Sequence, residues 1–433
     1  MMERIPDVGH EIYDLAEKIY PICRSITGAG VRETLNILSD YIGNLDEVSF
    51  HIYEVPSGTQ AFDWTVPREW VIREAYIEDR NRNKIIDMKN HNLHVVGYSA
   101  PVDKWVALNE LKECVYVQED QPSVIPYVTS YYKERYGFCM SKDQLDSLEE
   151  GDYHIYIDSE YIDGSLTYAE VVLPGDTEKE LLLTSYICHP SMANNECSGV
   201  AMTAALIRYV HAMKKRRYTY RFVLNPETIG AIVYISRNLE HLKKNLTAGI
   251  VLSCVGDDRH YSMIESRYGN TLADKSLKSI LTFTDQYTIY PFLERGSDER
   301  QYNAPGIDLP VAGFCRTKYG RYPEYHTSAD NMDLISPLGL QRSFNFLVKW
   351  INSMEYNYKY KVTVLGEPQL GKRGLYTTIS KKGSYDQVMA VENLIAYADG
   401  KNDLFDISRI IGIEPYDLIP IIKKLLDHNL IAK

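Results

Sequence analysis

In the stretch YICHPSMANNECSG (residues 186–199), His189 ends an apolar run and is closely followed by Asn194, Asn195 and Glu196. An imidazole beside Asx and Glu oxygens supplies the donor types that hold a divalent cation. Three further loops carry similar groups. LNPETIG puts Glu227 just after an apolar run, LSCVGDDRH carries Ser253, Asp257 and Asp258, and YPEYHTSADNMD carries Glu324, His326, Asp330 and Asp333. The run ERGSDERQYNAPGIDLP adds Asp298, Glu299 and Arg300. Singly, each has an ordinary structural explanation: a strand-end histidine is usually a hydrogen-bonded surface residue, and SADNMD reads as a helix N-terminus. Together, two histidines, a carboxylate after a strand and several Asx residues are the parts of a zinc hydrolase site.

These loops need a common scaffold. Apolar runs at 180–187, 218–224, 248–255, 287–291 and 311–315 alternate with helical patterns at 199–213, 230–242, 271–284 and 337–356. That alternation predicts an α/β fold, a mixed, mostly parallel sheet covered by helices on both faces. All the loops above then fall at one edge of the sheet, beyond the carboxyl ends of strands, where such sheets bind ligands. Two helical patterns, 7–20 and 31–42, precede this part. The PICRSITGAG between them reads as a glycine-rich turn with a helix cap more readily than as an anion cradle. From 48 to 151 the period changes to two, with runs such as VSFHIYEV, EWVIREAYI and ECVYVQE, which predicts an antiparallel β-rich insertion. Its FDWTVPREW stretch reads as a packed turn or a substrate contact. YHIYIDSEYIDGSLTYAEVVLPG, from Tyr153, reads as a hairpin.

After LGEPQLGKRG come three short helical patterns, as in a winged helix. The last mixes Glu414, Asp417 and Asp427 with Lys423 and Lys424, so protein contact or homo-oligomer formation is expected in preference to nucleic acid. The expected domains are 1–47 with 152–362 (α/β), 48–151 (β-rich insertion) and 368–433 (winged helix).

The composition agrees. A net charge of −12 argues against affinity for nucleic acid or anionic lipid. No apolar run approaches the ~20 residues of a membrane helix. MMERIPDVGHEIYD lacks a secretory core, and seven cysteines without paired spacing suit a reducing compartment, so the cytoplasm is expected. Tyrosine, 35 residues against 10 phenylalanines, offers apolar rings with polar tips.

The segment YAEVVLPGDTEKELLLTSYICHPSMANNECSGVAMTAAL resembles the zinc exopeptidases related to secreted bacterial leucine aminopeptidase and glutaminyl cyclase. HTSAD (residues 326–330) matches that group's closing motif, and SDERQY resembles the motif before it. CRSITGAGVRETL, VPSGTQAFDWTVPREW and RYPEYHTSADNMDLIS are similar, more narrowly, to an aminopeptidase-like group with a β-rich insertion and a C-terminal winged helix. That likeness covers nearly the whole chain.

The resemblance implies that His189 and His326 are metal ligands and that Glu227 is the general base. It also implies that Asn195 stands at a bridging aspartate, Thr228 at a ligating glutamate and Ser253 or Cys254 at a further aspartate. Two dications about 3.5 Å apart need anionic ligands to offset their repulsion. Three neutral replacements therefore imply one zinc, on His189, Asn195 and His326. The implied activity is that of a zinc-dependent, aminopeptidase-like amide hydrolase acting on a peptide or amide-containing small molecule. Asp298, Arg300, Arg316 and Tyr325 are candidates for substrate binding. The alternatives are a reduced scaffold acting as a ligand-binding or regulatory protein, and an amidohydrolase on amino-sugar intermediates of polysaccharide synthesis.

Overall fold

The computed structural model describes residues 4–46, 48–131, 133–375 and 384–433. Positions 376–383 of the expected winged-helix domain lie outside the described residues, as do 1–3, 47 and 132.

Helices α1 (Gly9–Ile19) and α2 (Ala29–Ile42) open the chain. α1 buries Ile12, Leu15, Ala16 and Ile19, a single apolar stripe. In the first turn of α2, a Cβ on Gly30 would lie 2.0 Å from the Cys23 carbonyl oxygen, so this glycine permits a close approach of the preceding loop's backbone.

Strands β1 (His51–Pro56), β2 (Glu69–Glu78), β3 (Lys84–Asp87), β4 (Val102–Ala107) and β5 (Asp152–Ile162) follow. Then come β6 (Ser165–Leu173), β7 (Glu180–Tyr186), α3 (Ser198–His211), β8 (Thr219–Asn225), α4 (Ile229–Asn245) and β9 (Leu246–Leu252). β10 (Tyr261–Ile264), α5 (Leu272–Leu281), β11 (Tyr287–Tyr290), β12 (Val311–Cys315) and α6 (Pro337–Glu355) complete the α/β part.

The main sheet runs β1-β6-β8-β7-β9-β12-β10-β11. Its centre, β8 to β12, is parallel, and β1, β6 and β10 join in antiparallel sense. Every residue of β7 is buried, as expected of a strand covered on both faces. Leu181 and Leu183 enter the core shared with α1, α2, α3 and α6, while Leu182 enters the core shared with α4 and the inserted sheet.

The expected hairpin from Tyr153 does not form. β5 joins an antiparallel sheet of order β3-β2-β5-β4, whereas β6 pairs with β1 and β8 in the main sheet. Alternation marks a strand without naming its partner. The chain crosses between sheets beside Gly164, where a Cβ would meet Glu69 Oε2 at 2.2 Å. β1 therefore belongs to the main sheet and β5 to the inserted one.

At the C-terminus, α7 (Ser384–Tyr397), α8 (Leu404–Ile411) and α9 (Pro415–Asp427) accompany a two-stranded pairing of Lys361–Val362 with Ile431–Ala432. α9, the second helix of the helix-turn-helix, packs on α6, and α8 packs on α5. Lys349 pairs with Glu414 at 2.7 Å, and Lys275 with Asp403 and Asp406 at 2.8 Å. Among the described residues no helix is long and apolar enough to cross a membrane.

Candidate metal and catalytic site

β7 delivers His189 three residues beyond its end, at the edge predicted from the strand order. Glu196 holds it there. Glu196 Oε2 accepts from the Cys188 N–H at 2.5 Å and from the His189 N–H, and lies 3.1 Å from His189 Nδ1. Glu196 Oε1 accepts from Arg24 Nε at 2.7 Å, and neither of these side chains is exposed. Arg24 also donates to the Ile19 carbonyl (2.5 Å) and Cys197 Sγ (3.2 Å). Because a carboxylate only accepts, His189 Nδ1 carries the proton and Nε2 presents its lone pair. Cys188, His189 and Glu196 are close enough together to share an ion. However, Glu196 is committed to these donors, and burial pushes the Cys188 thiol well above its ordinary pKa. This cluster orients His189.

His326 comes from the loop after β12, in a left-handed conformation (φ +57°). Its ring stacks on Tyr325 (centroids 3.9 Å apart, planes 14°) and lies 5.4 Å from the His189 ring. Its Nε2 is buried and has no hydrogen-bond partner. Burial, then the neighbouring His189, push its pKa down to about 3, so the ring is neutral and its lone pair available.

Glu227 follows β8, with Oε2 3.9 Å from His189 Nε2. Burial raises its pKa, against the opposing pull of His189 and Arg300. Next to it, Thr228 takes φ +62°, costly for a β-branched residue. Asp298 Oδ1 fixes that turn by accepting from Thr228 N (2.8 Å), and its Oδ2 accepts from Asn225 Nδ2 (3.1 Å). Burial and the nearby Glu227 push Asp298 up to about 8. Arg300 Nη2 donates to Thr228 Oγ1 at 2.6 Å.

Asn195 lies in a π-helical turn at the start of α3, a distortion that recurs at functional sites. Its Oδ1 accepts from the Tyr186 hydroxyl (2.8 Å) and faces Cys254 Sγ (3.5 Å), while its Nδ2 is buried without a partner. Asp330 of HTSAD accepts from the backbone N–H of Asn194 (2.6 Å) and Asn195 (3.1 Å) and from Tyr322 Oη (2.9 Å). It ties the asparagine loop to the His326 loop. At the last neutral position, Cys254 is the residue that touches Asn195, whereas Ser253 Oγ faces Cys315 Sγ at 3.7 Å.

His189, Glu227, His326 and Arg300 line one cavity of about 370 Å³. Its opposite wall comes from the insertion: Trp64, Tyr127 and Tyr131. The Tyr127 ring lies 5.2 Å from the His189 ring and 5.0 Å from the His326 ring. Tyr127 N donates to the His326 carbonyl (2.9 Å), and Ile125 and Ser328 exchange two further bonds of 2.9 Å. A larger surface hollow near His10 and Tyr261 holds none of these groups.

Of the substrate-binding candidates, Arg300 alone lines this cavity. Tyr325 backs His326, and Asp298 backs Thr228. Arg316 is elsewhere: its guanidinium lies 3.8 Å over the Tyr261 ring and 3.2 Å from Asp258. The chain beyond β12 turns that side chain towards β10, which a strand-end position does not reveal. Arg24, Tyr127 and Tyr131 had no assigned role in the sequence reading, and Glu196 was marked there only as an oxygen donor beside His189. Trp64 was marked only through the aromatic FDWTVPREW stretch.

Residues 13–357 match the family described as a domain of unknown function, DUF4910, and residues 358–433 match a winged helix-turn-helix family. A Clostridium acetobutylicum protein named for polysaccharide biosynthesis and an aminopeptidase-like domain is 43% identical over 411 residues, 94% of this chain and 93% of its own. A crystal structure of a C. acetobutylicum protein, provisionally described as a peptidase, has a TM-score of 0.91 at 41% identity, covering 98% of this chain and 96% of that one. A zinc aminopeptidase from Bacillus subtilis has a TM-score of 0.59 at 14% identity, covering 81% of this chain and 96% of that one. That last likeness is one of fold.

Proposed function

Since the chain belongs to the DUF4910 family and pairs a zinc-exopeptidase fold with a C-terminal winged helix, we propose that it is a single-zinc amide hydrolase acting on a small peptide or other amide-bearing molecule. The observation that carries this reading is the meeting of two available imidazoles with Glu227 in one cavity.

The residues fit one cation. His189 and His326 would hold it, each with Nε2 available. Asn195 would join with its amide turned, so that the oxygen replaces the unpartnered Nδ2 and the nitrogen donates to the Tyr186 hydroxyl. A second dication does not fit, because Asn195, Thr228 and Cys254 bring no charge to offset the repulsion. When bound, zinc supplies Lewis acidity, polarising the amide carbonyl and acidifying water.

The chain's own groups do the rest. Glu227, shifted towards neutrality by burial, accepts the proton of the attacking water and returns it to the leaving nitrogen. Asp298 holds the Thr228 turn that aims Glu227. Trp64, Tyr127 and Tyr131 limit water and substrate size. The name of the 43% identical relative, which joins polysaccharide biosynthesis to an aminopeptidase-like domain, supports a substrate search that includes amides on amino-sugar intermediates.

The test is Glu227→Gln. It should keep zinc while turnover falls by roughly 10²–10⁴-fold, the usual worth of a general base. Full activity in that variant rejects the mechanism. A second reading, a ligand-binding scaffold without catalysis, draws on the engagement of Asn195 Oδ1 by Tyr186. Ligand binding without zinc or hydrolysis would favour it. With α9 packed on α6, the winged helix serves protein contact within the chain or between copies.

A further inference from the structure

The charges around the cavity speak to the class of substrate. Among the described residues that line it, Glu227 is the one carboxylate, facing Arg300 and two imidazoles. Arg300 rises from the short helix Glu299–Tyr302 and spends one N–H on the Thr228 hydroxyl. Its Nε is buried without a hydrogen-bond partner, and no described carboxylate forms an ion pair with it. Most arginines that face a carboxylate in this chain are paired, Arg24, Arg221 and Arg259 among them. A half-buried guanidinium that lines a cavity without a carboxylate ion-pair partner is suited to receive an anion.

Apart from Glu227, the same lining offers an ammonium group no carboxylate. Thr228 presents a hydroxyl already accepting from Arg300, Gln301 an amide and Cys188 a thiol. Asp298 lies behind Thr228 with both oxygens engaged. Glu227 could pair with an ammonium, but doing so would occupy the group that must accept a proton. A cation on the imidazoles would add to the repulsion.

We infer that this cavity takes amides carrying a carboxylate or other anion near the scissile bond, anchored by Arg300, and disfavours the free α-ammonium terminus of an ordinary aminopeptidase substrate. The inference rests on the hydrolase reading for its reaction but concerns recognition. The aromatic wall of Trp64, Tyr127 and Tyr131 would then pack the uncharged part of the same molecule.

Two probes of nearly equal shape and opposite charge test it: succinamate, a carboxylate joined to a primary amide, and β-alaninamide, an ammonium joined to the same amide. Both are titrated calorimetrically into the zinc-loaded full chain and its Glu227→Gln variant, with propionamide as the neutral reference. Succinamate should bind at least tenfold tighter than β-alaninamide in both proteins. Arg300→Gln should bring that ratio close to one while leaving propionamide affinity and zinc content unchanged. Equal or tighter binding of β-alaninamide, no succinamate binding at millimolar concentration, or a preference that survives Arg300→Gln each overturns the inference. Hydrolysis with the ammonium probe favoured would defeat this proposal alone. The predicted charge order without any hydrolysis would defeat the hydrolase reading alone.

Discussion

Glu196 connects the fold to the proposed chemistry, and removing it should produce two separable losses. The Glu196→Ala variant leaves Arg24 buried without its 2.7 Å carboxylate partner. Breaking such a pair from one side costs about 3–5 kcal/mol, a large share of the ~5–15 kcal/mol that holds a typical protein folded. Replacing both residues, as Arg24→Met with Glu196→Met, removes the orphaned charge, so this double variant should be more stable than Glu196→Ala. Both variants also free His189 Nδ1 and the N–H groups of Cys188 and His189. Losing an outer partner of this kind lowers metal affinity by about 10–100-fold. Urea unfolding of the metal-free chain reads the first effect, and zinc competition against a chromophoric chelator reads the second. The pH dependence has a definite sign. Burial alone would raise the Glu196 pKa, but Arg24 and His189 outweigh it and hold the carboxylate below the ordinary glutamate range. Its contribution is therefore complete above the unfolded pKa and lost as pH falls through the lower folded value, and Glu196→Ala should lack that acid loss. A Glu196→Ala chain within about 1 kcal/mol of the parent, with unchanged zinc affinity, would refute the reasoning.

Three further outcomes are expected. Asn195→Asp should tighten zinc binding by roughly tenfold or more, about 1.4 kcal/mol, as an anionic oxygen replaces an amide; unchanged affinity by chelator competition would remove position 195 from the ligand set. Tyr127→Ala should cost about 1–3 kcal/mol in thermal or urea unfolding, preserve zinc stoichiometry and admit bulkier amides, because the ring closes the cavity over both imidazoles. Duplex DNA should bind no tighter than non-specific contact, ~10⁻⁴–10⁻⁶ M at physiological salt, since α9 already packs on α6; sequence-specific nanomolar binding in a mobility-shift assay would contradict that docking.

Much of this architecture was legible from periodicity. β12 matched at both ends, and the major helices of the α/β part differed from expectation by a few residues, because continuous apolar runs and 3.6-residue stripes report burial directly. His189, His326 and Glu227 could be placed at one edge because strand order puts loop chemistry beyond carboxyl ends. Partner choice was not legible. β5 and β6 alternate as cleanly as a hairpin yet serve different sheets, and a two-residue period carries no information about which strand lies alongside. Contacts between distant segments were equally silent. Arg24 reaches Glu196 from the loop between the first helices, and Tyr127 reaches the histidines from an insertion with no chemical motif of its own. Arg316 shows the converse: a suitable residue at a suitable position whose side chain turns to Tyr261.

The most direct test of the central claim is metal content by mass spectrometry on tag-free protein, for the parent chain and for His189→Ala and His326→Ala, after equilibration with zinc and removal of the excess. One zinc per parent chain, lost in both variants while the fold survives, is the predicted result. Two zincs per chain, none, or retention when either imidazole is removed would contradict a single cation shared by these two residues.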